Sequence, residues 1–205
     1  MKIAVIGSGN VGGALAQKWA AKGHTVTLGV RDAAKFKGNA LATIPGISVA
    51  SVTDAVAQSE IVLLATPATA AIDVAKSLGD TTGKVIIDAM NVVMGRGPAG
   101  FTNTAEAILA NTQSREVVKS FNTTGYDNML NTVYGSEKLD MFMAGDSKDA
   151  KARVRQLALD AGFAECYDVG GNDKFALMEQ FAFFWINLAM MQGQGRSIGF
   201  KLLRR

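Results

Sequence analysis

The stretch Met1-Lys-Ile-Ala-Val-Ile-Gly7-Ser-Gly9-Asn-Val-Gly12-Gly-Ala-Leu-Ala16 joins an apolar run to a glycine-rich turn and then to a helical pattern. Ile3, Ala4, Val5 and Ile6 have the continuous apolar character of a strand buried on both faces. Gly7, Gly9 and Gly12 follow as G-x-G-x-x-G, and each has its own mechanical role. Gly7 permits the tight strand-to-helix turn. Gly9 lets the backbone approach a pyrophosphate with no side chain in the way. Gly12 brings the helix close onto the strand. The first-turn N–H groups and the positive dipole end of that helix then face the phosphates. A second strand pattern at 25–30 completes βαβ spacing, so Gly7, Ser8, Gly9, Asn10, Val11 and Gly12 are candidate dinucleotide-binding residues.

The chain has 205 residues, enough for one domain with a real core or one domain plus a small appendage. A net charge of +3 without a basic run before Arg204 and Arg205 gives no sign of nucleic-acid binding. One cysteine, Cys166, excludes an internal disulfide and a multi-cysteine metal site; no metal is expected, and a reducing cytoplasm is. The first apolar run enters a glycine turn and does not read as a secretory leader. Residues 175–192 are long and apolar but include Glu179, Gln180, Asn187 and Gln192, which predicts a buried or interface helix, not a membrane span. The sole histidine, His24, reads as a turn residue.

Periodicity predicts strands at 2–6, 25–30, 47–50, 61–65, 85–88, 117–120, 140–144 and 165–168. It predicts helices at 11–22, 33–41, 52–58, 69–78, 104–110, 148–161 and 173–192. Alternating βα units with buried strands imply an α/β fold: a Rossmann-type, doubly wound, mainly parallel sheet with a C-terminal apolar helix. Residues 1–170 are expected to form the nucleotide-binding domain, and 171–205 a helix and tail that complete an acceptor site and a dimer contact.

The second strand ends Thr27-Leu-Gly-Val30-Arg31-Asp32. An NAD-binding fold closes this strand with an acid for the ribose 2′-hydroxyl; here Val30 holds that place, Arg31 follows, and Lys35 lies one turn beyond. A guanidinium and an ammonium suit a 2′-phosphate, so NADP is the expected cofactor. In the alternative, Asp32 makes the ribose contact and both cations are solvated.

Gly7-Ser-Gly-Asn-Val-Gly, Gly29-Val-Arg31, Thr66-Pro67, Asn91, Gly100-Phe-Thr102 and Gly199-Phe-Lys-Leu-Leu203 together resemble the NADP oxidoreductases that use the deazaflavin coenzyme F-420. Ser120-Phe-Asn-Thr123 is also similar to the flavin-linked reductase domain of six-transmembrane metalloreductases. The resemblance implies hydride transfer between NADPH and a small-molecule acceptor: coenzyme F-420 or a flavin, FMN or FAD. There are departures: Val30 stands where the first family has a serine, and the segment 122–128 differs from its deazaflavin-binding pattern.

Ala65, Thr66 and Pro67 end the fourth strand and Asn91 follows the fifth, at the carboxyl ends where open α/β sheets bind ligands. Backbone groups of Thr66 and Pro67 suit the nicotinamide ribose, and Asn91 the ribose or the carboxamide; Pro67 also suits a helix start. The segment 91–102, with three glycines and Pro98, is expected to wall a second ligand site. Hydride transfer between flat rings needs distance and orientation more than a strong base. No histidine, cysteine or paired carboxylates are expected to converge there, Asp88 is read as buried and hydrogen-bonded, Cys166 as an inert core thiol away from this edge, and no residue is assigned as catalytic. Two other readings stay open: an imine reductase resembling pyrroline-5-carboxylate reductase, and a non-catalytic NADPH-binding regulator. The last helix is apolar nearly all round and needs cover on more than one side, so a homodimer is expected, with 193–205 near the acceptor site, of its own or the partner chain.

Overall fold

In a computed structural model describing residues 1–36 and 39–205, without the side chains of Lys35 and Asn39, β1 (Lys2–Ile6) is buried at every position after Lys2. Continuous burial is what an unalternating apolar strand requires, and helices on both faces of the sheet provide it. The elements after it are α1 (Asn10–Ala21), β2 (Thr25–Val30), α2 (Asn39–Ala42), β3 (Ile47–Ser51), α3 (Val52–Ala57) and β4 (Ile61–Leu64). Then come α4 (Ala71–Ser77), β5 (Val85–Asp88), α5 (Thr104–Asn111), β6 (Glu116–Ser120) and α6 (Tyr126–Leu130). The chain goes on through β7 (Val133–Tyr134), β8 (Glu137–Lys138), β9 (Met141–Ala144), α7 (Lys148–Ala161), β10 (Cys166–Gly170) and α8 (Phe175–Ile186).

The main sheet has eight strands in the order β10-β9-β6-β5-β4-β1-β2-β3. From β3 to β6 all pairings are parallel. The order reverses between β1 and β4, so the crossovers leave to opposite faces and open a crevice at the carboxyl ends of those strands. This is the expected Rossmann-type α/β fold. β9 runs antiparallel to β6, and β10 parallel to β9. One core lies under α1 and α7, with Leu15, Trp19, Val154 and Leu157; the other gathers Ala55, Ala71, Ile108 and Met178 from α3, α4, α5 and α8.

Several elements differ from the sequence expectation. The helix predicted at 33–41 is a 3₁₀ turn, Ala33–Lys35, and a short α2; residues 37–38 lie outside the described residues. The helix predicted at 173–192 begins as a 3₁₀ turn (Asn172–Lys174), runs as α8, and ends in a π turn (Asn187–Met191). α6 and the β7–β8 hairpin were not predicted: the three elements are two to five residues long, too short for a periodic signal. Lys148–Ala161 matches its prediction, capped by the Ser147 hydroxyl accepting from the Ala150 N–H and by Gly162 in the left-handed region. His24 sits between α1 and β2 as expected and is buried, its ring nitrogens bonded to the Met1 amine (3.1 Å) and Asp160 (2.9 Å).

No helix among the described residues is long and apolar enough to cross a membrane. α8 presents Leu177, Phe183 and Phe184 to the exterior, and the π turn adds Met190 and Met191. The tail packs back on its own chain. Trp185 Nε1 donates to the Ile198 carbonyl (2.8 Å), Asn128 Nδ2 to the carbonyls of Ile198 (2.7 Å) and Arg196 (3.1 Å), and Phe200 stacks on Phe181 at 4.7 Å.

Candidate functional site

Gly7 has φ +99°, and a Cβ there would lie 2.5 Å from the Ala65 carbonyl oxygen. Only glycine fits a left-handed position against another strand's backbone. At Gly12 a Cβ would stand 1.9 Å from the Gly7 oxygen, the close helix–strand approach that the motif demands. Gly9 is the opposite case. A Cβ added there meets nothing within 4 Å, and Gly9 and Asn10 are exposed. α1 begins at this opening with no side-chain cap and no acid in its first turn. Its N–H groups and positive end therefore face an open cradle, the arrangement that holds phosphate.

The cradle continues along the sheet edge. A Cβ at Gly7 would also meet Thr66, and the Thr66 hydroxyl reaches Met90 Sδ at 3.3 Å. Asn91 Nδ2 donates to the Asn122 carbonyl (2.8 Å), and Asn122 Nδ2 donates back to Asn91 Oδ1 (3.0 Å) and to the Met178 carbonyl (3.2 Å). Gly7, Ala65, Thr66 and Asn91 thus come together on one rim, with Ser8 and Val11 half-buried beside it. Pro67 is exposed and precedes the 3₁₀ turn Ala68–Ala70, so its helix-start role is realised. Val30 ends β2, and Arg31 and Asp32 are exposed just beyond it; Asp32 Oδ1 accepts the Ala34 N–H (3.1 Å). The side chain of Lys35 lies outside the described residues.

Beside this rim Phe121 is fully buried with φ +58°, a conformation costing a bulky residue roughly 1–3 kcal/mol. Its ring is held edge-on against Trp19 at 5.7 Å and tilted against Phe163 at 6.4 Å. Packing of that ring sustains the strained corner and turns Asn122 toward Asn91. Asn122 is itself buried, and its Oδ1 is the one buried side-chain polar atom without a hydrogen-bond partner among the described residues.

The expectation that no paired carboxylates converge here is overturned. Lys119 Nζ donates to Asp88 (2.9 Å), Glu179 (2.9 Å), the Met90 carbonyl (3.0 Å) and the Thr104 hydroxyl (3.1 Å). Glu179 arrives on α8, which folds back over the edge of β5 and β6. Its Oε2 accepts the Val92 N–H at 2.9 Å. Asp88 is buried and hydrogen-bonded as expected, accepting from the Met90 N–H (3.0 Å) and Thr104 (2.6 Å). Burial by itself pushes the Lys119 ammonium down, but the Asp88 and Glu179 carboxylates outweigh it and hold the pKa above 10.5. Lys119, directly after the apolar pair Val117 and Val118 in a strand, was the signal for this cluster, since a lysine buried there requires partners. Which partners, the sequence did not show.

Cys166 is also corrected in position. Because β9 is reversed, its first residue Met141 lies at the carboxyl end of β6, and Cys166 pairs with Met141. The thiol is buried, which pushes its pKa up to about 12, so its inert character stands. The segment 91–102 begins at the Val92–Glu179 tether and becomes exposed at Met94, which also has positive φ (54°). Among the described residues no group of three or more His, Cys, Asp or Glu is placed to hold a metal.

A family model described as NADP oxidoreductase, coenzyme F-420-dependent, matches residues 2–92. A protein from Arthrobacter sp. FB24, provisionally assigned as an F-420-dependent NADP reductase, is 27% identical with a TM-score of 0.85, and the alignment covers 100% of both chains. The resemblance to the F-420-dependent NADP oxidoreductases read in the sequence is borne out by these two matches. An imine reductase from Streptomyces aurantiacus is 21% identical, with a TM-score of 0.69 over 94% of this chain and 64% of that one. A reductive aminase from Aspergillus terreus in complex with NADPH is 21% identical, with a TM-score of 0.66 over 94% of this chain and 63% of that one. The last two show a shared fold, and this chain spans less than two thirds of their length.

Proposed function

We propose that this chain is an NADP(H)-dependent oxidoreductase that passes hydride between NADPH and a flavin-like or deazaflavin acceptor. The observation that carries the reading is the open space in front of Gly9 at the uncapped start of α1, which suits a pyrophosphate and which a side chain at position 9 would fill. The residues suit the rest of the cofactor as well. Gly7 to Gly12 hold the pyrophosphate; Val30 and Arg31 border the 2′-phosphate; Ala65, Thr66, Pro67 and Asn91 line the nicotinamide ribose and carboxamide. When bound, the cofactor supplies the hydride. The protein binds, orients and excludes water, and no side chain is assigned a proton-transfer step.

The tail supports an acceptor site beside the nicotinamide, since Arg196 and Ile198 are tied through Asn128, which also donates to Thr124, to the segment following Asn122. In this reading residues 171–205 complete the acceptor site. The exposed apolar side chains of α8 cover a second copy, giving a homodimer, and the single buried thiol suits a reducing cytoplasm.

The test is NADPH oxidation followed with oxidised deazaflavin, FMN, FAD and a cyclic imine. Turnover with the deazaflavin or a flavin is expected. Turnover with the imine alone would transfer the assignment to imine reduction. Tight NADPH binding without any turnover would favour a regulator.

A further inference from the structure

Asp88, Lys119 and Glu179 place two carboxylates against one ammonium at the carboxyl ends of β5 and β6, with Lys119 and Asp88 fully buried. Every carboxylate oxygen faces a donor. Asp88 Oδ1 accepts from the Met90 N–H and Oδ2 from Lys119 and Thr104; Glu179 Oε1 accepts from Lys119 and Oε2 from the Val92 N–H. Two carboxylates against one ammonium give the cluster one net negative charge. It is also aimed. Lys119 binds the Met90 carbonyl and Glu179 the Val92 N–H, so both neighbours of Asn91 are fastened to it.

From this we infer that the Asp88–Lys119–Glu179 cluster sets the redox preference of the site, favouring the oxidised, cationic nicotinamide over the reduced, neutral one. The inference rests on the NADP(H) reading above. When hydride leaves C4 of the dihydronicotinamide, two electrons and one hydrogen nucleus pass to the acceptor, and the ring is left with one positive charge. A buried negative charge beside Asn91 is attracted to that product and not to the neutral reactant. The cluster thereby biases the protein toward hydride donation from NADPH, without touching the reacting atoms. Asp88 and Glu179 are positioning residues with an electrostatic effect.

The measurement is the dissociation constant of NADP⁺ and of NADPH, by calorimetric titration, for the unaltered protein, Glu179→Gln and Asp88→Asn. Each variant leaves a neutral cluster. For a unit charge at a separation of about 10 Å and an effective dielectric of about 20, the ratio Kd(NADP⁺)/Kd(NADPH) should rise roughly tenfold in both variants. A merely structural role would weaken both forms alike, and an unchanged ratio in either folded variant overturns the inference. Should both variants fail to fold, the unaltered protein decides through 2′-phospho-ADP-ribose, which lacks the ring. The oxidised ring must then add more affinity over this fragment than the reduced ring does, and the reverse order overturns the inference. If neither nucleotide binds the unaltered protein, the cofactor reading falls and this inference with it.

Discussion

Asn91 and Asn122 hydrogen-bond each other in both directions across 31 positions of sequence, joining the ends of β5 and β6 at the crevice. The exchange fixes both amide orientations, because Asn91 must donate to a carbonyl and so turns its oxygen toward Asn122. Asn91→Ala leaves the Asn122 carbonyl without that donor and its amide short of one acceptor. Such losses cost about 1–3 kcal/mol, to be read from urea denaturation. Asn91→Asp keeps the acceptor but sets a second oxygen against the Asn122 carbonyl, and should lose at least as much. An unaltered midpoint in Asn91→Ala would mean that the bridge contributes nothing to stability.

In the proposed reading, Arg31 just beyond the end of β2 decides cofactor choice. NADPH should bind better than NADH, and Arg31→Ala should remove most of the difference, about ten- to a hundredfold for a lost charge-assisted contact. Equal affinities in the unaltered protein would leave Asp32 as the ribose partner and the cofactor as NAD.

The glycines of the turn should separate binding from folding. Gly9→Val puts its branches into open space, so the fold should persist while nucleotide binding is lost. Gly12→Ala places a methyl 1.9 Å from the Gly7 oxygen and should lower the melting temperature before any ligand is added. A folded Gly9→Val protein with full NADPH affinity would place the phosphates elsewhere.

Two buried groups predict a decline in stability at alkaline pH. Burial raises the Cys166 thiol from 9.0 to about 12, so from about pH 9 the unfolded chain loses this proton while the folded chain keeps it. The folded state of Lys119 is also the tighter proton binder: its contribution is complete below 10.5 and is lost as pH rises through the elevated folded value. Both slopes have the same sign. The urea midpoint should fall between about pH 9 and pH 11, less steeply in Cys166→Ala. A midpoint that rises over that range contradicts both assignments.

Assembly is tested on α8 and the turn after it. Leu177, Phe184 and Met191 are exposed at seven-residue spacing, a stripe of the kind that a partner helix covers. Light scattering at micromolar concentration should give a dimer mass, and Leu177→Glu with Met191→Glu a monomer. A soluble monomer before mutation would leave this face without the second copy.

Local sequence was enough for the phosphate cradle and the strands beside it. Gly7 and Gly12 are specified by backbone geometry at one βα turn, with Ala65 the main outside neighbour, Gly9 leaves open space beside them, and the apolar runs of β1, β4 and β5 are unambiguous. Signals of that kind survive without tertiary knowledge because each depends on near neighbours or on a period within one element. The 3₁₀ turn at Ala33–Lys35, α6 and the β7–β8 hairpin left no such trace, since short segments acquire their form from what they pack against.

The floor of the site was decided by tertiary structure alone. Lys119 announces that it needs partners, yet Asp88 beside it and Glu179 on α8 become those partners only after the sheet is ordered and the last helix folds back. The reversal of β9, which carries Cys166 to the same end of the sheet, has no sequence signature either. The physical reason is the same in each case. A buried charge or a strand direction is satisfied by whatever the chain brings to it from far away, and proximity across 87 positions, as between Val92 and Glu179, is a property of the packed molecule and not of any segment.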